Sequence, residues 1–441
     1  MEGKHNRARR RLLRLLAGGI TGAVLARKSA AARARDASSP QTRAIGAATT
    51  LRAIKIGTTA AFTGTAAALG TELYRGAQAY YDEINDRGGI HGRSITVAVL
   101  DDRYEPLPCI VNTLRLLEEE DVFLLSGYVG TPTLTRALPF IKQYANEHDE
   151  DLAVVGAFTG AQPQREPPYG KFVFNIRASY RQEMMALVDQ FWRNGAREFG
   201  VFYQIDAYGR SGTDGVARGL ARRGATIAAE ATYARGARFE DDMSLAVKTL
   251  REASVDVVLC TGAYQGCAAF IRSARDLGWN VPISNLSFVG SEALLDLLTG
   301  HGRKTSRDYT RAIINSQVVP SYDDLTLPGV REYRALMDKN NPAVPHSLRD
   351  SGYAPRKYSF VSLEGFINAK VIVEGLRRAG PNLTRHGFRQ AMESLRNFDL
   401  GIGAPLSFGA NEHQGLNSVY FTHVENGRWV PITDWKYTMS A

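Results

Sequence analysis

The tetrapeptide Ala-Phe-Thr-Gly stands twice in the chain, at residues 61–64 and 157–160, each time after an apolar run and before residues that open a helix. Thr63 and Thr159 supply hydroxyls there, and the first N–H groups of a following helix lack intrahelical acceptors. Hydrogen bonding and the helix dipole then favour an anionic oxygen at the same point. The same loop also serves as a plain helix cap. Other groupings offer less chemistry. The eight histidines (His5, His91, His148, His301, His346, His386, His413, His423) are scattered, with no metal-ligand spacing, so no metal or other cofactor is expected. Nucleophile-elbow, P-loop and dinucleotide fingerprints are missing from the sequence. Asp101 and Asp102 read as a solvated strand end rather than paired catalytic carboxylates. Cys109, Cys260 and Cys267 are odd in number and form no CxxC, and the last two read as buried free thiols. Binding, not catalysis, is the expected activity; a secreted α/β enzyme would need a triad assembled across the fold.

Short β-rich runs alternate with helical stretches from residue 52 onward. "AIKIG", "SITVAVLDD", "VFLLSG" and "LAVVG" are strands, separated by "LYRGAQAYYDEIND", "PCIVNTLRLLEEE" and "TLTRALPFIKQYANE" as helices. The rhythm repeats from "FVFNI" to "CAAFIRSARDLG". Continuous apolar strands alternating with helices point to parallel, doubly wound sheets, and two blocks, 52–174 and 175–317, point to two of them. In such sheets ligands bind outside the carboxyl ends of the strands, where both copies of the tetrapeptide fall. The last third holds two further helices, a proline-bearing loop at 341–356 and a hairpin turning at Asn426-Gly427.

The net charge of +9 is concentrated at the start. Residues 1–34 carry nine Lys/Arg against one acid, +8, so 35–441 carry 9 − 8 = +1 and offer no basic surface for nucleic acid. Arg9-Arg10-Arg11, the modest apolar stretch 15–26 and Ala32-Arg33-Ala34 form a twin-arginine-like export signal over 1–34, with 35–51 as a linker.

Residues 84–106, "INDRGGIHGRSITVAVLDDRYEP", and the preceding "IKIGTTAAFTGTAAALG" closely resemble the start of the type I periplasmic solute-binding proteins of ABC importers, the branched-chain amino-acid binding family. "VFNIRASYRQEMMALV", "GVFYQIDAYGRSGTDGV" and "VDVVLCTGAYQGCAAFIRSARDLG" continue the resemblance in order, over about residues 52–435. It implies two α/β lobes joined by a three-crossover hinge, lobe 1 being 52–174 plus 318–413 and lobe 2 being 175–317 plus 414–441. It implies a small-molecule ligand between closing lobes, a permease partner in the inner membrane, a monomer and a periplasmic location. An exported sensor presenting its bound form to a receptor shares every one of these sequence features. By resemblance, the ligand carboxylate falls to Thr131 with Phe158, Thr159 and Gly160. Thr63 and Leu69 line the cleft mouth, and lobe 2 contributes Tyr208 and either Ala263 or Tyr264. Where the family places an acid for the ligand ammonium, Ser287 stands here, so a carboxylate or amide is expected to bind better than a zwitterionic amino acid. Arg177, at the hinge, either binds ligand or ties the lobes together.

Overall fold

A computed structural model of the chain describes residues 52–148 and 150–436; the segments expected to be an export signal and linker lie outside them. Five strands, β1 (Ile54–Ala60), β2 (Ile95–Asp101), β3 (Leu124–Ser126), β4 (Val154–Val155) and β5 (Val173–Phe174), form one parallel sheet in the order β2-β1-β3-β4-β5. A second sheet is built from β6 (Phe199–Gln204), β7 (Ala229–Tyr233), β8 (Val257–Thr261), β9 (Ile283–Asn285) and β10 (Ile313–Gln317). Its parallel part runs β7-β6-β8-β9-β10, the same winding as the first. Every residue of β8 and β10 is buried, as befits strands covered on both faces.

Helices α1 (Ala67–Asp86), α2 (Pro106–Glu118) and α3 (Thr131–His148) connect the first sheet. Around the second lie α4 (Tyr180–Arg193), α5 (Ala207–Ala221), α6 (Ser244–Glu252), α7 (Tyr264–Asp276) and α8 (Ser291–Thr305). Local sequence fixes their starts: Ser179 and Gln182 form a reciprocal capping box on α4, and Asp206 caps α5 through the N–H groups of Tyr208 and Gly209. After β10 the chain returns to the first lobe through α9 (Pro328–Asn340), α10 (Phe360–Ala379) and α11 (Arg385–Glu393). Helix α10 lies along α1 so closely that a β-carbon at Gly76 or Gly365 would collide with the facing backbone of Ser362 or Leu73. A small ladder of β11 (Phe398–Asp399) and β12 (Pro405–Leu406) follows. The chain then extends the second sheet with antiparallel β13 (Tyr420–Glu425) and β14 (Arg428–Pro431). Asn426 (φ 50) and Gly427 (φ 71) make the turn, both left-handed as a tight hairpin requires.

The backbone therefore crosses between sheets after β5, after β10 and before β13. Two crossings lie side by side: Asn175 N–H donates to the His413 carbonyl (2.7 Å), and Leu416 N–H donates to that of Ile176 (2.9 Å). Arg165 braces this seam, donating to Ala161 O, Arg177 O and Gln414 Oε1. Strand β4 is shorter than the apolar run "LAVVG" predicts, because Gly156 (φ 63) turns the chain where its Cα packs on Asn368.

Candidate functional site

Both sheets reverse their winding at the first strand, and the loops at these switch points face each other across the crevice between the lobes. On the lobe 1 side, β3 ends in a loop that opens α3 at Thr131, and β4 ends in the second Ala-Phe-Thr-Gly loop. Backbone bonds from Phe158 N–H to Tyr128 O (2.7 Å) and from Gly130 N–H to Phe158 O (3.1 Å) lock the two loops together. Their threonines meet: Thr131 Oγ1 and Thr159 Oγ1 are 2.7 Å apart, both buried. Gly160 follows, its carbonyl accepting from Tyr180 N–H at 2.8 Å, and a β-carbon there would strike the Tyr180 ring. Only glycine lets the hinge pass this close.

From lobe 2, Tyr208 at the start of α5 enters the crevice fully buried. Ser287 begins a one-turn helix, Ser287–Val289, at the end of β9, and its N–H donates to Glu183 Oε2 at 3.1 Å. The next residue, Phe288, places its ring centroid 5.1 Å from Phe158 and 4.7 Å from Tyr208.

Arg177 meets residues of both lobes, as the tying role expects. Its side chain is 1% exposed and reaches from the hinge to Ser287 Oγ. Its guanidinium lies 3.4 Å from Glu183 on α4 and 3.5 Å from Glu364 on α10, so one cation joins acids from both lobes. It also lies over the Phe158 ring, 4.8 Å from the centroid. Among the described residues, its Nε and Nη1 and the Tyr180 hydroxyl are buried without a hydrogen-bond partner. Burial pushes the Glu364 carboxyl up to about 7, against the pull of Arg177. Glu183 is fully engaged, taking Ser316 Oγ (2.7 Å) as well as Ser287 and Arg177. The crevice thus presents hydroxyls, a partly unsatisfied guanidinium and aromatic faces, with its acids already committed.

Leu69 and Tyr264 come together elsewhere between the lobes, both buried. Ala68 N–H donates to Tyr264 Oη at 3.5 Å, and a β-carbon at Gly290 would sit 2.6 Å from Leu69. Thr63 stands apart from the threonine pair: its hydroxyl donates to Asp101 Oδ2 at 2.5 Å, and its N–H and that of Phe62 reach Asp101 Oδ1. Of the two copies of the tetrapeptide, the first is held by a carboxylate of its own chain and the second by a hydroxyl. Asp102 corrects the solvated-strand-end reading. It is fully buried, accepts from Thr59 Oγ1 (3.0 Å) and Tyr104 N–H (2.9 Å), and burial pushes it up to about 7. Tyr104, Tyr180, Glu183, Phe288 and Glu364 belong to the crevice without having been singled out by motif. Phe288 alone carried a local signal, standing next to the singled-out Ser287.

A family model described as "Periplasmic binding protein" matches residues 53–428. The chain belongs to the periplasmic binding protein family. "Leu/Ile/Val-binding protein homolog 7" of Brucella abortus is 26% identical over 406 residues, spanning 88% of this chain and 93% of the relative. A solved structure described as a possible leucine/isoleucine/valine-binding protein from Rhodopirellula baltica superposes with a TM-score of 0.75 at 31% identity, covering 87% and 97% of the two chains. The fold is shared with a branched chain amino acid ABC transporter protein of Thermus thermophilus with bound valine (TM-score 0.73, 17% identity, 87% and 96% covered). These relatives are solute-binding proteins, not enzymes, and the family implies a periplasmic location. Among the described residues no helix is long and apolar enough to cross a membrane, and no group of three or more His, Cys, Asp or Glu is placed to hold a metal ion.

Proposed function

We propose that this periplasmic binding protein captures a small carboxylate-bearing solute, or its amide, between its lobes and delivers it to the permease of an ABC importer. The observation that carries this reading is the buried Thr131–Thr159 hydroxyl pair, with the partly unsatisfied Arg177 guanidinium nearby. Thr131, Thr159 and the Gly160 loop hold the carboxylate, while Phe158 and Tyr208 flank the remainder of the solute. Leu69, Tyr264 and Thr63 close the mouth. Ser287 brings no negative charge for an ammonium group, and Arg177 beside it is cationic. Lobe boundaries at 174/175, 317/318 and 413/414 form the hinge of a monomer. The relatives named for leucine, isoleucine and valine favour a ligand of amino-acid size; the ligand's charge is read from this chain's own residues.

A thermal-shift and calorimetric screen over amino acids, their deaminated analogues, amides and aromatic carboxylates tests this. Carboxylates should raise the unfolding midpoint most; no response to any of them, with a response to zwitterions, sinks the ligand class. By intact mass the exported protein should lack residues 1–34.

A further inference from the structure

Phe288 stands where a ligand ring would stand. Phe158 and Tyr208, the two aromatic residues assigned to flank the solute, instead flank Phe288 at centroid distances of 5.1 and 4.7 Å. Tyr104 from lobe 1 lies 5.9 Å away, and Tyr180 meets it edge-on at 6.4 Å. Rings at these spacings and tilts form a slot suited to one planar aromatic group. Yet Phe288 does not come from the core of either sheet. It sits on the single turn Ser287–Val289 at the carboxyl end of β9, followed by left-handed Gly290 (φ 77). The polar side of the slot is incomplete as well: Arg177 Nε and Tyr180 Oη, buried around these rings, have no hydrogen-bond partner among the described residues, and Arg177 Nη1 has only the Glu364 carboxylate at 3.5 Å. A folded chain seldom leaves such buried polar groups unsatisfied without a functional reason.

We propose that Phe288 is a displaceable occupant of the ligand site, and that the ligand's apolar part is a planar ring of similar size which takes its place. The proposal rests on the reading of Thr131 and Thr159 as the carboxylate anchor, which makes a small aromatic carboxylate the matching solute. Binding then requires the turn at 287–289 to swing out of the slot, and Phe288 acts as a specificity residue by competing with whatever enters. A compact aliphatic group contacts only part of four ring faces and displaces Phe288 poorly.

The test measures binding of benzoate, acetate and toluene by calorimetry to the unmodified protein and to Phe288→Ala. Phe270→Ala is the control for a cavity made elsewhere, since Phe270 is fully buried and stacks on Phe202 at 4.2 Å inside lobe 2. Benzoate should bind Phe288→Ala at least about tenfold tighter than the unmodified protein. Acetate should be unchanged, Phe270→Ala should gain nothing, and Thr159→Val added to Phe288→Ala should erase the gain. Phe288→Leu, a milder change that keeps the fold if the alanine variant does not, should show part of the same gain. Benzoate binding both variants no tighter than the unmodified protein overturns the proposal and makes Phe288 a fixed wall. The carboxylate reading fails separately: toluene gaining as much as benzoate, with Thr159→Val silent, keeps the occupant and removes the anchor.

Discussion

A hydroxyl already bound to a carboxylate has little left for a ligand, whereas one hydroxyl of a threonine pair keeps its proton free. When Thr131 donates to Thr159 across 2.7 Å, the Thr159 O–H can point at a ligand oxygen. Thr63 spends its proton on Asp101. Thr159→Val should therefore weaken carboxylate binding by about 1.5–3 kcal/mol, roughly 10- to 100-fold, by calorimetry. Thr63→Val should change affinity by less than about threefold, because its loss falls on the loop and not on the ligand. A larger effect at Thr63 than at Thr159 reverses the assignment of the two loops. The same scale decides the ammonium question. Glu183 stands near Ser287 but already serves Arg177, Ser287 N–H and Ser316. Leucine should accordingly bind more weakly than its deaminated 2-oxo analogue. Tight binding of leucine with weak binding of the analogue would mean that Glu183 or Glu364 is released from Arg177 to receive the ammonium.

Helix α10 carries its acid into the crevice and so couples an element to pH. Burial raises Glu364 to about 7, above its ordinary value near 4.5. Between those values the folded chain keeps a proton that the unfolded chain has lost, so stability falls as pH rises through this window. Glu292 on α8 and Asp102 after β2, both raised to about 7 by burial, act in the same direction. Burial lowers His413 and His423 below their ordinary 6.5, and they act in the opposite direction, so the test is a difference: the midpoint of the unmodified protein should decline between pH 5 and pH 7 relative to that of Glu364→Gln. A difference that grows the other way over this range contradicts the assignment. Elements of this kind were readable where their signals are local. The alternation of apolar runs announced both sheets, Asn426-Gly427 announced the hairpin, and the loop before Gly160 announced a strand end. The Arg177 cluster was not readable, because its partners are tertiary: Ser287 lies 110 residues away in the chain. Asp102 misled for the same reason, since an acid at a strand end looks solvated until α2 and the Tyr104 turn cover it.

At the scale of the molecule, two sheets of the same winding share a narrow seam, and what lies across the crevice decides how far they separate. Ion pairs join the lobes on either side of it: Arg235 after β7 reaches Glu105 at the start of α2 (2.8 Å), and Arg356 before α10 reaches Asp296 on α8. Both pairs are partly exposed, so each contributes little by itself and is weakened by salt. The hinge is held differently, by backbone bonds around Asn175 and by the buried Arg177, which no modest salt concentration reaches. Lobe closure should therefore be salt-sensitive at the rim and rigid at the pivot, as hinge motions require. Without ligand, small-angle scattering of Arg235→Ala combined with Asp296→Ala should show a larger radius of gyration than the unmodified protein. Adding a saturating carboxylate ligand should return both to the same compact value, with affinity lowered in the variant by the fraction of closed molecules lost. A radius that ligand and rim charges leave untouched would mean that the lobes do not move, and the site would then have to fill through motion of the 287–289 turn alone.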